Sequence, residues 1–202
     1  EIIGQLPTFS KNEIRILEPS VGAGSFVPFL FKLYENVPHV ILDVVDIDQE
    51  SLEAFDLLLN KIGIAHNFTV NRICHDFLTW KPAYRYDLAI GNPPFSKLKK
   101  KTPEITEATK DNRNQTTNNL AALFLEKCMR CSDCVALMLN KNILSTDEYS
   151  ETRNLLRTVK IESIVDFGRY GFTGVSIETM CMVVYPRQKP KETTVYLSLI
   201  HI

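Results

Sequence analysis

No apolar run in this chain approaches the ~18 residues that a bilayer-spanning helix needs, and no leader of charged, apolar and small residues opens it. No membrane span is expected, and no signal peptide is visible in these residues. The first residue is Glu1 rather than methionine, which reads as a piece of a longer chain. There is no even set of cysteines either. Five thiols in 202 residues, in a chain too large to need staples, point to reduced cysteines and a cytoplasmic setting. Cys128, Cys131 and Cys134 are spaced by three and invite a metal reading. Only these three are local, they straddle a helix end and a strand start, and a closed zinc site takes four ligands. No metal is expected. Nor is there a strong net charge: the total is −1, which by itself does not advertise a nucleic-acid binder.

What is present is a composition 45% hydrophobic and 23% charged, enough for one sizeable core. A single domain over residues 1–202 is expected. Charge is unevenly spread: residues 1–91 sum to −5 and residues 92–202 to +4. The positive excess begins with Lys97, Lys99, Lys100 and Lys101, a cluster that could meet phosphates or be a solvated loop. Strand-like apolar runs alternate with helix-like segments. The strands read as 14–17, 40–46, 68–73, 86–90, 135–139, 161–167 and 178–185, with Thr194 to Leu199 a further candidate. Helices read as 27–34, 50–61, 120–127 and 149–158. The alternation predicts an α/β fold with a doubly wound, mostly parallel seven-stranded sheet and one antiparallel strand near its end. Residues 97–118 are polar and charged, and read as a long flexible loop.

The first strand runs into Glu18-Pro19-Ser20-Val21-Gly22-Ala23-Gly24-Ser25-Phe26. Strand, glycine turn and helix form a nucleotide-binding layout, in which Gly22 and Gly24 permit a tight turn and close approach of a ligand. The third glycine of a dinucleotide fingerprint is missing, which disfavours NAD. Asp46 lies 22 residues beyond Gly24 at a strand end, where an acid meets ribose hydroxyls; Asp48 competes for that role or caps the next helix. Asp76, at the end of the third strand, could accept from the exocyclic amine of an adenine-containing cofactor, or be a plain turn carboxylate. The fourth strand ends in Gly91-Asn92-Pro93-Pro94-Phe95. The prolines fix φ at two consecutive positions and remove two backbone donors, and Pro93 holds Asn92 extended. A stiff turn results, with an amide, carbonyls free of competing N–H groups and an aromatic face. That set suits a flat base bearing an amino group.

Together these motifs resemble those of the gamma-class N6-adenine DNA methyltransferases that use S-adenosylmethionine. Glu18 to Phe26 looks like their cofactor motif and Asn92-Pro93-Pro94-Phe95 like their catalytic motif, in that order along the chain. The resemblance runs from Ile14 to Pro186. It implies the S-adenosylmethionine-dependent methyltransferase fold, with Glu18, Pro19, Ser20, Val21, Gly22, Gly24, Phe26, Asp46, Asp76, Asn92 and Pro94 at the cofactor. Ile47 and Phe77 would wall its adenine pocket, or else be ordinary core. The Asn92 side-chain oxygen and the Pro93 carbonyl would accept the two hydrogens of the adenine amino group. Phe95 and Phe172 would sandwich the extruded base, although Phe172 also reads as a loop anchor. Double-stranded DNA is the implied substrate, within a restriction-modification or related system. Two departures stand out: a Thr-Pro motif near the first strand is missing, and the target-recognition domain must lie in another segment or subunit. Two other classes share parts of this pattern. One is a methyltransferase acting on RNA bases or protein glutamine; the other is a non-catalytic binding module of a larger modification complex.

Overall fold

The computed structural model describes residues 2–168 and 178–197. Its strands are β1 (Glu13–Glu18), β2 (His39–Asp46), β3 (Phe68–Cys74), β4 (Tyr86–Gly91), β5 (Ser132–Asn140), β6 (Lys160–Gly168), β7 (Thr179–Tyr185) and β8 (Thr194–Leu197). The helices are α1 (Val27–Leu33), α2 (Gln49–Ile62), α3 (Pro103–Ala108), α4 (Leu120–Cys131) and α5 (Ser150–Leu156). The strands form one sheet in the order β3-β2-β1-β4-β5-β7-β6-β8. β7 is antiparallel to both neighbours, and every other pairing is parallel. The sheet thus has eight strands where seven are expected from sequence, because Thr194–Leu197 pairs with β6. The single antiparallel strand falls where expected.

The central strands are buried on both faces, which is why they read as continuous apolar runs. Ile14 and Ile16 of β1 face one way, with Leu42, Val44, Leu88 and Ile90, into a core closed by Val27 and Leu30 of α1 and Leu52 and Phe55 of α2. Leu17, Val45 and Ala89 face the other way, with Leu137 and Leu139, under Leu123, Phe124 and Cys128 of α4. The chain leaves β1 towards β2 and leaves β4 towards β5. The β1/β4 boundary is therefore the topological switch point, and the carboxyl ends of these strands open the crevice where such sheets bind ligands.

The 97–118 stretch holds more structure than its polarity predicts. Thr102 caps α3 by accepting from the Ile105 N–H, and Pro103 sits in its first turn. Lys97 pairs with Asn119 in an antiparallel bridge. Asn114 and Thr117 are fully buried.

Candidate active site

The turn after β1 is built around two left-handed glycines. Gly22 has φ +52° and open space where a side chain would stand; Gly24 has φ +80°, and a Cβ there would lie 2.5 Å from the Phe55 ring. Only glycine serves at either position without strain. The Asp46 carboxylate ties this turn down: its Oδ2 accepts the Gly22 N–H at 2.9 Å and its Oδ1 the Asp48 N–H at 3.1 Å. Asp48 in turn caps α2, accepting from the Glu50 N–H. Of the two acids that compete from sequence, Asp46 thus grips the glycine turn and Asp48 takes the capping role.

The Asn92 turn lies against the first one. A Cβ on Gly91 would sit 3.1 Å from Pro19 Cδ, so the two strand ends touch where they must converge. The Ser20 hydroxyl donates to the Asn92 carbonyl oxygen at 3.1 Å. Two buried acceptors flank this contact without a hydrogen-bond partner, Glu18 Oε2 and Asn92 Oδ1. An unmet buried acceptor costs about 1–3 kcal/mol, so a pair of them at the switch point is set for a ligand with donors. Glu18 is only 1% exposed. Burial, with a smaller contribution from the Asp46 charge, holds its carboxyl well above the usual carboxylate range.

The other predicted residues are distributed around these turns. Pro19 and Val21 are buried, Phe26 and Phe95 half-buried, and Pro93 is buried beneath the exposed Pro94. Ile47 stands 70% exposed beside Asp46. The His75 N–H donates to the Asp46 carbonyl at 2.9 Å, which brings the Asp76 turn to the β2 end. Asp76 Oδ1 accepts the Leu78 N–H at 2.8 Å, so one of its oxygens serves the turn itself. Phe77 is 2% exposed and packs on Phe124 at 4.9 Å between ring centres. Lys97 pairs with Glu148 and Lys101 bonds the Gln115 carbonyl, while Lys99 and Lys100 are exposed. Phe172 lies outside the described residues. Cys128 and Cys134 are buried, with burial pushing the Cys134 thiol up to about 12. Among the described residues no three His, Cys, Asp or Glu side chains gather as metal ligands.

Sequence reasoning missed the charged end of α4. Glu126 accepts the N–H groups of Arg113 and Asn114 at 2.6 and 3.1 Å. Lys127 donates to the carbonyls of Phe77, Leu78 and Trp80. A Glu-Lys pair inside an otherwise apolar helical run was the available signal, since such charges are buried only when bonded.

The fold and the paired turns define the class: this is the S-adenosylmethionine-dependent methyltransferase fold. A Listeria monocytogenes protein assigned to the class I S-adenosylmethionine-dependent methyltransferases superimposes with a TM-score of 0.77 at 16% identity, over 99% of this chain and 63% of the other. A type I restriction-modification methyltransferase subunit from Streptococcus thermophilus superimposes with a TM-score of 0.70 at 15% identity, over 93% and 43%. The chain belongs to the Eco57I restriction-modification methylase family, which it matches over residues 33–172. It is also 28% identical over 181 residues to the Type II methyltransferase M.CvrRI of Paramecium bursaria Chlorella virus XZ-6E, covering 85% of this chain and 42% of that protein. The chain thus spans less than half the length of this curated relative.

Proposed function

We propose that this chain is the catalytic core of a DNA adenine-N6 methyltransferase of a restriction-modification system, taking its methyl group from S-adenosylmethionine. The observation that carries the reading is the pair of buried, unpartnered acceptors, Glu18 Oε2 and Asn92 Oδ1, on either side of the Pro19–Gly91 contact. The residues fit the cofactor: Gly22 leaves open space at the turn, the Asp46 carboxylate bonded to the Gly22 N–H is the acid we assign to the ribose, and a buried carboxyl at Glu18 suits a cationic amino acid moiety. Bound there, the cofactor supplies an electrophilic methyl group on a sulfonium.

The chain's own residues then handle the nucleophile. Adenine N6 is weakly nucleophilic because its lone pair is delocalised into the ring. Asn92 Oδ1 and the Pro93 carbonyl accept its two hydrogens and draw electron density onto nitrogen. Ser20, in the glycine turn, donates to the Asn92 carbonyl and so ties the two turns together. A strong base is not needed, because the proton leaves for water once positive charge has developed on N6. Phe95 offers its face to the extruded base, and base–aromatic stacking contributes about 1–3 kcal/mol. Phe172 is proposed as its counterpart. Extrusion from the duplex costs a few kcal/mol. Lys99 and Lys100 follow the turn and are exposed, which supports a role for them at backbone phosphates.

The test is a nucleoside digest of DNA methylated by the full-length protein. N6-methyladenine is expected; a methylated cytosine, or label in RNA or protein instead, would overturn the adenine reading. Asn92→Ala is expected to lower kcat by roughly 10²–10³, the range for losing one preorganised polar contact to a reacting group, while cofactor affinity stays within a few-fold. Unchanged turnover would remove Asn92 from the chemistry.

A further inference from the structure

The reaction above uses the ends of β1, β2 and β4 and leaves the buried ammonium of Lys127 without a role. Lys127, on α4, is 8% exposed. Its ammonium donates to the carbonyls of Phe77, Leu78 (2.9 Å) and Trp80 and lies 4.8 Å from the centre of the Phe77 ring. Burying an ammonium is costly unless its protons are bonded. Here three carbonyls take the three protons.

Those carbonyls belong to a single turn at the end of β3. Within it, the Asp76 carbonyl accepts the Thr79 and Trp80 N–H groups and the Asp76 side chain accepts the Leu78 N–H. The turn is joined to the cofactor cradle without a gap: the His75 N–H bonds the Asp46 carbonyl, and the Asp46 carboxylate bonds the Gly22 N–H. The other end of α4 is anchored just past the Asn92 turn. There the Leu98 N–H bonds the Asn118 carbonyl, and the Leu120 N–H bonds the Ser96 carbonyl. One helix therefore braces both halves of the site, and Lys127 is its grip on the cofactor half.

We infer that Lys127 is a positioning residue for the adenine end of the cofactor, clamping the 76–80 turn so that Asp76 stands fixed relative to Asp46. This rests on the proposed S-adenosylmethionine site. The clamp is sensitive to proton concentration. Burial lowers the Lys127 ammonium to about 8; Arg130 on α4 adds to this, while Cys128 and Cys131 on α4 and Asp76 on the turn oppose it. A neutral amine has two N–H groups and a lone pair that repels the third carbonyl. The grip therefore weakens as pH rises through that value.

The experiment is calorimetric titration of S-adenosylmethionine into the full-length protein and its Lys127→Met and Lys127→Arg variants. Lys127→Met is expected to bind roughly tenfold more weakly, the loss of one charge-assisted contact, with kcat at saturating cofactor within about twofold of wild type. Amide exchange at Leu78, Thr79 and Trp80 should quicken in the same variant. Lys127→Arg keeps the charge at all accessible pH, so between about pH 7 and about pH 9 its affinity should fall less steeply than that of wild type. Unaltered affinity in Lys127→Met overturns the inference, and so do parallel pH profiles for wild type and Lys127→Arg. If Lys127→Met does not fold, that comparison of pH profiles decides alone. Wild-type protein that binds no S-adenosylmethionine overturns the cofactor reading and this inference with it; wild-type binding with an indifferent Lys127 overturns this inference only.

Discussion

At the ends of β1 and β4, Glu18 and Asn92 leave buried oxygens unmet, a debt that a ligand with donors would settle. Glu18 ends β1 and Asn92 directly follows β4, the two strands of the switch point, and both carry a buried oxygen without a partner. For Glu18 the consequence is a proton. Its carboxyl is held above the usual carboxylate range by burial first and by Asp46 second, so the folded protein retains a proton that the unfolded chain releases. Its contribution to stability therefore falls as pH rises from the ordinary carboxylate pKa, about 4.3, towards the raised value. A cationic ligand beside it reverses the preference. Cofactor binding to wild type is expected to release more protons than binding to Glu18→Gln, read as a larger dependence of the calorimetric heat on buffer ionisation enthalpy. Without ligand, Glu18→Gln should be the more urea-resistant protein at neutral pH. Equal proton release by the two proteins would show that the carboxyl is not beside the cofactor charge. The Glu-Pro-Ser-Val-Gly turn was legible in the sequence because glycine spacing and strand register are local. The orphaned oxygens were not, because burial of one carboxylate atom depends on Pro19 meeting Gly91 across 72 residues of chain.

At the level of elements, α4 carries more than its apolar pattern announces. Residues Ala121 to Met129 are all buried, the charged Glu126 and Lys127 among them, so polarity is a poor guide to where the helix leaves the core. The helix runs to Cys131, four residues past the expected 127. It therefore absorbs Cys128 and Cys131, while Cys134 falls on β5. Sequence pattern missed α3 for a different reason. Ile105 is its sole buried residue, leaving no periodicity to detect, and only Thr102 before Pro103 hinted at a helix start. What holds the 97–118 stretch is polar. Glu126 takes the N–H groups of Arg113 and Asn114, and the Asn114 amide bonds the Glu148 carbonyl and the Thr152 hydroxyl. Glu126→Ala leaves two donors unmet at a buried site and is expected to cost about 2–3 kcal/mol in urea denaturation. Limited proteolysis should then cut first between residues 100 and 118. Wild-type cleavage kinetics in this variant would mean that the stretch is held by something other than Glu126.

Across the whole molecule the charge is divided as the proposed task requires. The acidic part, residues 1–91 at −5, contains the glycine turn and Asp46; the basic part, residues 92–202 at +4, begins at the Asn92 turn. A total near zero conceals this division, which is why net charge gave no sign of a polyanionic partner. The structure narrows the basic cluster. Lys97 is drawn to Glu148 and Lys101 to the Gln115 carbonyl, leaving Lys99 and Lys100 as the exposed pair nearest the turn. If DNA lies across this face, each lysine that meets a phosphate releases a condensed counterion and adds roughly 0.9 to the slope of log affinity against log salt. The double variant Lys99→Ala, Lys100→Ala in the full-length protein should therefore bind duplex DNA more weakly at low salt. Its salt slope should be shallower by roughly two units, by a similar amount on cognate and non-cognate sequences, because phosphate contacts carry no base information. S-adenosylmethionine affinity should be unchanged, since neither lysine is bonded to the cradle. A fluorescence anisotropy series in increasing potassium chloride measures all of this. An unaltered slope would move the duplex off the face that follows Phe95, and the extruded base would then have to reach Asn92 from the side of β5 and β7.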